Sequence, residues 1–313
     1  YYNLAKCYLD DNPDKAREYA WKIISISDTL FNKNNAIKVD GYNMLASIES
    51  RHKNYVKALE YYNLAIDENQ GYTNILNEDS YFHVLSRSSL LDTYMGKIDV
   101  NVCQKLLADN TETRIQYLNS IIDFSNKAIE LIEFIRDRIK FSDSKYMLME
   151  YSQRIYDTVL QSTHELYSIN PSKKLAIDFL IIAEKNHHSV LKSSLQELRA
   201  HQFSEIPDDI LKKEQQLRSG ITSLENQRLE SNKLLTHKET LTDKTIEYDD
   251  YIRMLEKEYP DYYSLKYTHP SLDISKIFNN INNESLIIEF ISDSQSYYAI
   301  TISDEEINIT KLS

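Results

Sequence analysis

The sequence predicts a mostly α-helical chain: a helical solenoid, then a long helical hairpin, then a short C-terminal β-hairpin that opens a further α/β unit. Three observations predict it. Apolar residues recur at three and four positions over most of the 313 residues, and at two only from Leu286 onward. The chain holds 4 glycines and 5 prolines, where average usage would give roughly 20 and 15, and turn-rich β folds need those residues. Finally, residues 1–28 and 42–69 repeat one another.

In that repeat Leu4 matches Leu45, Ala5 matches Ala46, Ala16 matches Ala58, Tyr19 matches Tyr61 and Ile23 matches Ala65. Small residues let paired helices approach closely, while Tyr42, Leu45 and Tyr62 fill the space beside them. The order Tyr42, Leu45, Ala46, Tyr55, Ala58, Tyr62, Ala65 resembles the tetratricopeptide repeat, with a longer pitch than its commonest form. The first copy departs from it by one residue around Asn12 and Pro13.

The next elements are read from periodicity. Residues 81–94 predict a helix with Leu85, Ser88, Leu91 and Met95 on one face, and residues 96–113 an inserted connector, partly helical at 102–107. Long helices follow over 115–139 and 146–167, the second carrying Met149, Ile155, Val159 and Leu166. Asn170, Pro171 and Ser172 punctuate the chain, proline being suited to a helix start. From Lys173 the repeat spacing returns at Ala176, Leu180 and Ala183, and the helix is expected to run on to Leu198 as a cap. Ile206 and Pro207 open a fresh helix, with Asp208 and Asp209 against its positive dipole end. Its seam is Ile210, Leu217, Ile221 and Leu224; a loop over 236–243 turns it back into a second arm, 245–258, with Tyr248, Ile252 and Leu255 inward. Tyr259 and Pro260 stop that arm. Leu286, Ile288 and Phe290 then face one side of a strand and Ile287 and Ile291 the other. The polar turn 293–296 leads to Tyr298, Ile300 and Ile302, and Ile307 and Ile309 start a third strand. So small a sheet has to lean on helices or belong to a larger unit. A covered Phe290 would lose about 3–5 kcal/mol on truncation to alanine, and an open one almost nothing.

The second half carries a family likeness. Ala183-Glu184-Lys185, the segment 202–208 (QFSEIPD), Glu225-Asn226-Gln227, the segment 259–266 (YPDYYSLK) and the strands 286–300 (LIIEFISDSQSYYAI) occur in the order seen in CHAT domains. The chain therefore resembles a bacterial tetratricopeptide-repeat CHAT-domain protein, although its turn, Ser292-Asp293-Ser294, lacks the family's glycine. The resemblance implies repeats over 1–203 (clearest at 1–70 and 173–198), a hairpin linker over 204–258, and the start of a caspase-like cysteine peptidase domain over 259–313. Catalysis in that family uses a histidine assisting a cysteine thiolate, with backbone N–H groups holding the oxyanion. Neither position can be assigned here, since no His or Cys follows Ile302. Tyr1 already lies in a helical pattern, so the chain is expected to be an internal piece of a longer protein and itself inactive. The repeat surface is expected to bind a protein or peptide. The alternative expectation is a non-enzymatic adaptor.

Composition excludes other classes. The net charge is −12 without a Lys- or Arg-rich block, which argues against nucleic acid. The longest apolar runs are far shorter than the ~20 residues that span a bilayer. Two cysteines without metal-ligand spacing give no disulfide framework, and a cytoplasmic location is expected. No catalytic, cofactor-binding or metal-binding residue is assigned. Cys7 and Cys103 read as small buried side chains, and His187-His188 diverge by about 100° on a helix and cannot share a metal. Of the paired carboxylates, Asp208-Asp209 read as dipole compensation, Asp249-Asp250 as a solvated helix face and Glu305-Glu306 as a strand turn. Tyr259, Tyr262, Tyr263 and Tyr267 read as packing between hairpin and sheet.

Overall fold

The computed structural model describes residues 1–31, 35–70, 81, 84–136, 142–187, 200, 206–230, 234–267, 273–282 and 285–312. The expected capping extension beyond His187, the QFSE segment 202–205 and His188 lie outside these residues. The described chain is mostly helical and ends in a three-stranded antiparallel sheet. It divides into two compact units, Tyr1–Phe134 and Ile135–Ser313.

In the first unit the helices form successive pairs. Helix α1 (Tyr2–Cys7) pairs with α2 (Pro13–Leu30), whose start is set by Pro13 and by the Asn12 side chain, which accepts from the Lys15 N–H at 3.1 Å. Helix α3 (Ala36–Arg51), capped by Asn35, turns into α4 (Tyr55–Asn69) through Lys53, which takes a left-handed φ of 61°. The small and aliphatic repeat positions are buried, while Tyr19, Tyr42, Tyr55 and Tyr61 are partly buried beside them. Ala5, Ala16, Ala20, Ile24, Met44, Leu45 and Ile48 form one core, and Ala46, Ala58, Tyr62 and Val100 another. Among the aliphatic positions Leu4 is the exception, half exposed where its counterpart Leu45 is buried.

The connector expected over 96–113, with helix only at 102–107, is helical except at 107–110. After Asn69 joins Ser86 through a side-chain hydrogen bond, Ser86 caps α5, which runs without a break from Arg87 to Leu106. α6 (Thr111–Arg136) then folds back along it, with the Tyr94 and Phe124 rings 6.3 Å apart and the Arg87 guanidinium 4.9 Å from the Phe134 ring. On propensity alone Gly96 disfavours a helix. A Cβ there would lie 2.1 Å from the Tyr62 ring, so the glycine is what lets α5 approach α4. Met95-Gly96 stands where Leu45-Ala46 and Leu4-Ala5 stand in the earlier pairs, a signal the sequence did contain. Helix α5 also lies along α3, joined by hydrogen bonds from Ser89 to Asp40 (2.5 Å), Asn43 to the Ser89 carbonyl (2.9 Å) and Thr93 to Asn43 (2.8 Å). Replacing Gly96 with alanine should therefore destabilise the first unit by about 1–3 kcal/mol, the range for overpacking a core. Urea unfolding followed by the fluorescence of Trp21, which lies in that unit, reads it directly; an unchanged midpoint would refute the close approach.

In the second unit α7 (Ser142–Ile169) and α8 (Lys173–His187) pair across Asn170-Pro171-Ser172, where the Ser172 hydroxyl accepts from the Leu175 N–H at 3.2 Å. A second pair is α9 (Asp208–Glu230) and α10 (Leu234–Glu258). The loop expected over 236–243 is thus part of α10. Its threonines are weak helix formers, but propensity is a small term that neighbouring structure overrides. Pro260 does end α10, and it also serves as the first residue of α11 (Pro260–Tyr267); a short α12 (Ile274–Asn280) precedes the sheet.

Strands β1 (Ile287–Ser292), β2 (Tyr297–Ile302) and β3 (Ile307–Leu312) are joined in sequence order, with Phe290 opposite Ala299 and Ala299 opposite Thr310. The first turn needs no glycine, because Asp293 accepts from the N–H groups of Gln295 (2.7 Å) and Ser296 (2.6 Å) with its own side chain. The register places Ile291, Tyr298, Ile300, Ile302, Ile307 and Ile309 on one face, and all six are buried. That face leans on α7 and α8. Tyr298 meets His164 and Phe179 at 5.2 and 5.1 Å between ring centres. Along the β3 edge and its turn, Tyr167 donates to Asn308, a residue of the opposite face, and Lys173 donates to the Glu305 carbonyl.

Candidate functional site

Two features of the second unit stand out as more than packing. The first is a buried polar cluster. Helix α9 carries its seam at Ile210, Leu217 and Ile221, and the seven-residue gap hides a fourth seam position, Glu214, at the spacing of four and three. Glu214 is 2% exposed, and the elements that cover it bring donors to it. From α11, Lys266 Nζ donates to Oε1 at 2.6 Å and Tyr262 to Oε2 at 2.6 Å, while the Tyr267 hydroxyl also donates to Oε1. Lys266 further donates to the Tyr262 oxygen at 2.7 Å, and Tyr248 from α10 lies 3.3 Å from the Tyr267 hydroxyl. Burial by itself would raise the carboxyl of Glu214. The Lys266 charge and the three hydrogen bonds outweigh it and hold the group below its ordinary value of 4.5. Burial, then Tyr248 and Glu214, pushes the Tyr267 phenol well up, so it stays a neutral donor. Both carboxylate oxygens are engaged by fixed donors, so the cluster's chemistry is cohesive: it ties α11 to the α9–α10 pair.

The tyrosine series therefore divides. Tyr262 and Tyr267 are buried against Glu214 rather than serving as filling between hairpin and sheet, and Tyr259 and Tyr263 are half-buried. The sequence reading missed Glu214 and Lys266. The i, i+4 spacing of Tyr262 and Lys266 on a short helix just after a proline was the available signal, together with the seam gap.

The second feature is the other face of the sheet. Leu286, Ile288, Phe290 and Tyr297 are 57%, 51%, 69% and 66% exposed, and Leu312 borders them. No charged residue falls on this face in the register, from Ile288 to Thr301 and Asn308, from Phe290 to Ala299 and Thr310, or from Ser292 to Tyr297 and Leu312. Of the two outcomes considered for Phe290, the open one holds. Phe290→Ala should change stability by no more than about 0.5 kcal/mol, as for an ordinary surface position. A chemical denaturation midpoint shifted by several times that would mean the face is covered.

The remaining residues singled out in the sequence resolve as follows. Cys7 is exposed, not buried, because Ala5 takes the inward position of α1 and a residue two further on points about 200° around the helix. Cys103 is half-buried, with its thiol against the Tyr55 hydroxyl. His187 ends α8. Asp208 and Asp209 stand in the first turn of α9, and Glu305 and Glu306 in the exposed β2–β3 turn. Asp250 is exposed and paired with Arg253, but Asp249 is 1% exposed, so the solvated reading of that pair fails for its first member. In α10 Tyr248, Ile252 and Leu255 are at most 1% exposed, and the next residue along from an inward Tyr248 is drawn in with it. The first unit has its own buried cation, Lys97. It donates to Asn63 at 2.5 Å and lies 4.2 Å from the Phe124 ring, and burial pushes its pKa down to about 8.

Among the described residues no group of three or more His, Cys, Asp or Glu side chains is placed to hold a metal, and no helix is long and apolar enough to cross a membrane. No family model, characterised protein or solved structure matches this chain.

Proposed function

We propose that this chain is a protein-interaction and regulatory region of a CHAT-type cysteine peptidase. In this reading its helical pairs form a tetratricopeptide-like scaffold for a protein or peptide partner, and its sheet forms the opening of the peptidase domain. The observation that carries the reading is the two-sided character of the sheet. One face is filled by six buried apolar residues against α7 and α8, and the other presents Leu286, Ile288, Phe290 and Tyr297 without a charge among them. Contiguous exposed apolar surface of this kind marks a place where further protein belongs. The scaffold part is supported by the way α1, α3 and α5 lie beside one another, with α2 and α4 each between two of them. It is also supported by the small residues Ala46, Ala58 and Gly96 at the closest approaches.

The catalytic pair is placed on neither cysteine of this chain. Incubated with a fluorogenic peptide library, the chain should show no cleavage that iodoacetamide abolishes, and thiol-dependent turnover would overturn this assignment. The reading frame that follows codon 313 separates the peptidase reading from the adaptor. A further ~150–250 residues, enough for a domain, with a histidine and a cysteine after later strands supports the first. A frame that closes within a few dozen codons supports a non-enzymatic scaffold.

A further inference from the structure

Lys97 stands on α5 between two other helices of the first unit. It is 7% exposed, its Nζ donates to Asn63 Oδ1 of α4 at 2.5 Å, and it lies 4.2 Å from the centre of the Phe124 ring of α6. Among the described residues no carboxylate pairs with it. Asp123 on α6 and Asp67 on α4 act on it only from a distance, and Asp123 is already held by Lys127 at 2.8 Å. The Lys127 ammonium reaches over the same ring, 5.2 Å from its centre, so two cations share one aromatic side chain. The direct hydrogen bond goes to a neutral amide and brings no charge. A covered ammonium with a like charge beside it and no ion pair is costly, and the group responds by giving up its proton. Asn63 itself is exposed, so the amine lies just beneath the surface at that side chain.

We propose that Lys97 is a carbamate-forming lysine: its neutral amine adds carbon dioxide, and the carbamate is held between Asn63 and Lys127.

The step balances without an oxidant or a further reactant. The Nζ lone pair attacks the carbon of carbon dioxide, one C–O π pair moves onto oxygen, and the nitrogen gives a proton to water. Return of the proton reverses it. The side chain passes from cation to anion. Asn63 can then offer its amide N–H groups where it had offered its oxygen, and Lys127 turns from a repulsive neighbour into a counter-ion. Burial first, then Lys127, hold the Lys97 amine down at about 8. An ordinary lysine titrates at ~10.4, so near neutrality roughly a hundred times more of Lys97 is in the nucleophilic form. Carbon dioxide is small and uncharged, and it reaches a covered atom that bulkier acylating reagents do not. The junction of α4, α5 and α6 thereby responds to inorganic carbon.

The test is 13C NMR of the chain incubated with 13C-bicarbonate slightly above neutral pH. Two carbamate signals should appear. One comes from the α-amine of Tyr1, which serves as the internal reference. The other should vanish in Lys97→Met, an apolar chain of similar length, and in Lys97→Arg, which keeps the charge but offers no nucleophilic amine. Trapping the carbamate on the native chain with a trialkyloxonium salt, followed by peptide mass mapping, needs no variant. The trapped carboxyl should lie on Lys97 at least about tenfold more often than on the exposed Lys127 or Lys22, as the difference in neutral fraction requires. A signal from the α-amine alone, a second signal that persists in Lys97→Met, or label spread evenly over the lysines overturns the proposal.

Discussion

Replacing Lys266 with alanine will cost the second unit about 3–5 kcal/mol, the penalty for stranding one member of a buried ion pair. The residue is 9% exposed and its partner Glu214 2%. Without the ammonium, Glu214 keeps only the hydrogen bonds of Tyr262 and Tyr267 against the full cost of burial. The loss should appear in unfolding followed by far-ultraviolet circular dichroism. The transition of Trp21, the single tryptophan, reports the first unit and should stay in place. The pH dependence gives a second signature. In the native chain Glu214 is held below 4.5, so its contribution is present above that value and is lost as pH falls through the folded value. In Lys266→Ala burial is opposed only by hydrogen bonds, so the carboxyl rises and the variant should gain stability as pH drops from 7 toward 5. A variant that loses stability in parallel with the native chain over that range would show that the ion pair is not what holds Glu214 ionised.

Tyr298→Ala should cost a similar amount, about 3–5 kcal/mol, because it empties an aromatic site at the centre of the covered sheet face. Tyr298 is 1% exposed, lies against Phe179 and His164, and donates its hydroxyl to Asp293 Oδ2 at 2.9 Å. Burial pushes its phenol up to about 12, so it remains a neutral donor at any working pH. Tyr298→Phe keeps the ring and removes only the hydrogen bond to the turn, so it should cost about 0.5–1.5 kcal/mol. If the alanine and phenylalanine variants unfold at the same denaturant concentration, the sheet does not depend on α7 and α8 as described. The contrast with the near-neutral Phe290→Ala is informative, since the two residues sit on adjacent strands and opposite faces.

Much of the second unit's order was legible because it rests on local spacing. The three strands, the turn at Asp293, the inward set Tyr248, Ile252 and Leu255, and the break at Asn170-Pro171-Ser172 all follow from periodicity and backbone chemistry within a few residues. The misreadings share one cause. Glycine is a poor helix former in isolation, yet the missing side chain at Gly96 is used by Tyr62 on another helix. Residues 236–243 are helix where a loop is expected, and Asp249 is buried where its charge argues for solvent. Glu214 disappeared in a seven-residue interval between apolar positions. Each of these depends on what stands opposite, which a single chain's spacing does not contain.

The sequence by itself determined that the chain is helical with a terminal antiparallel sheet, that its first helices pair through alanines, and that alternate residues of the strands separate onto two faces. Those properties come from 3.6- and 2-residue periods and from the backbone preferences of proline and of capping side chains. Only the tertiary structure decided which strand face is covered. Both faces of β1 are apolar in sequence, and the choice was made by β2 and β3, whose isoleucines all fall beside Ile291 and away from Phe290. It also decided that Glu214 and Lys266 meet. A charge's fate is set by its partners in space, and the partner of Glu214 lies 52 residues away along the chain.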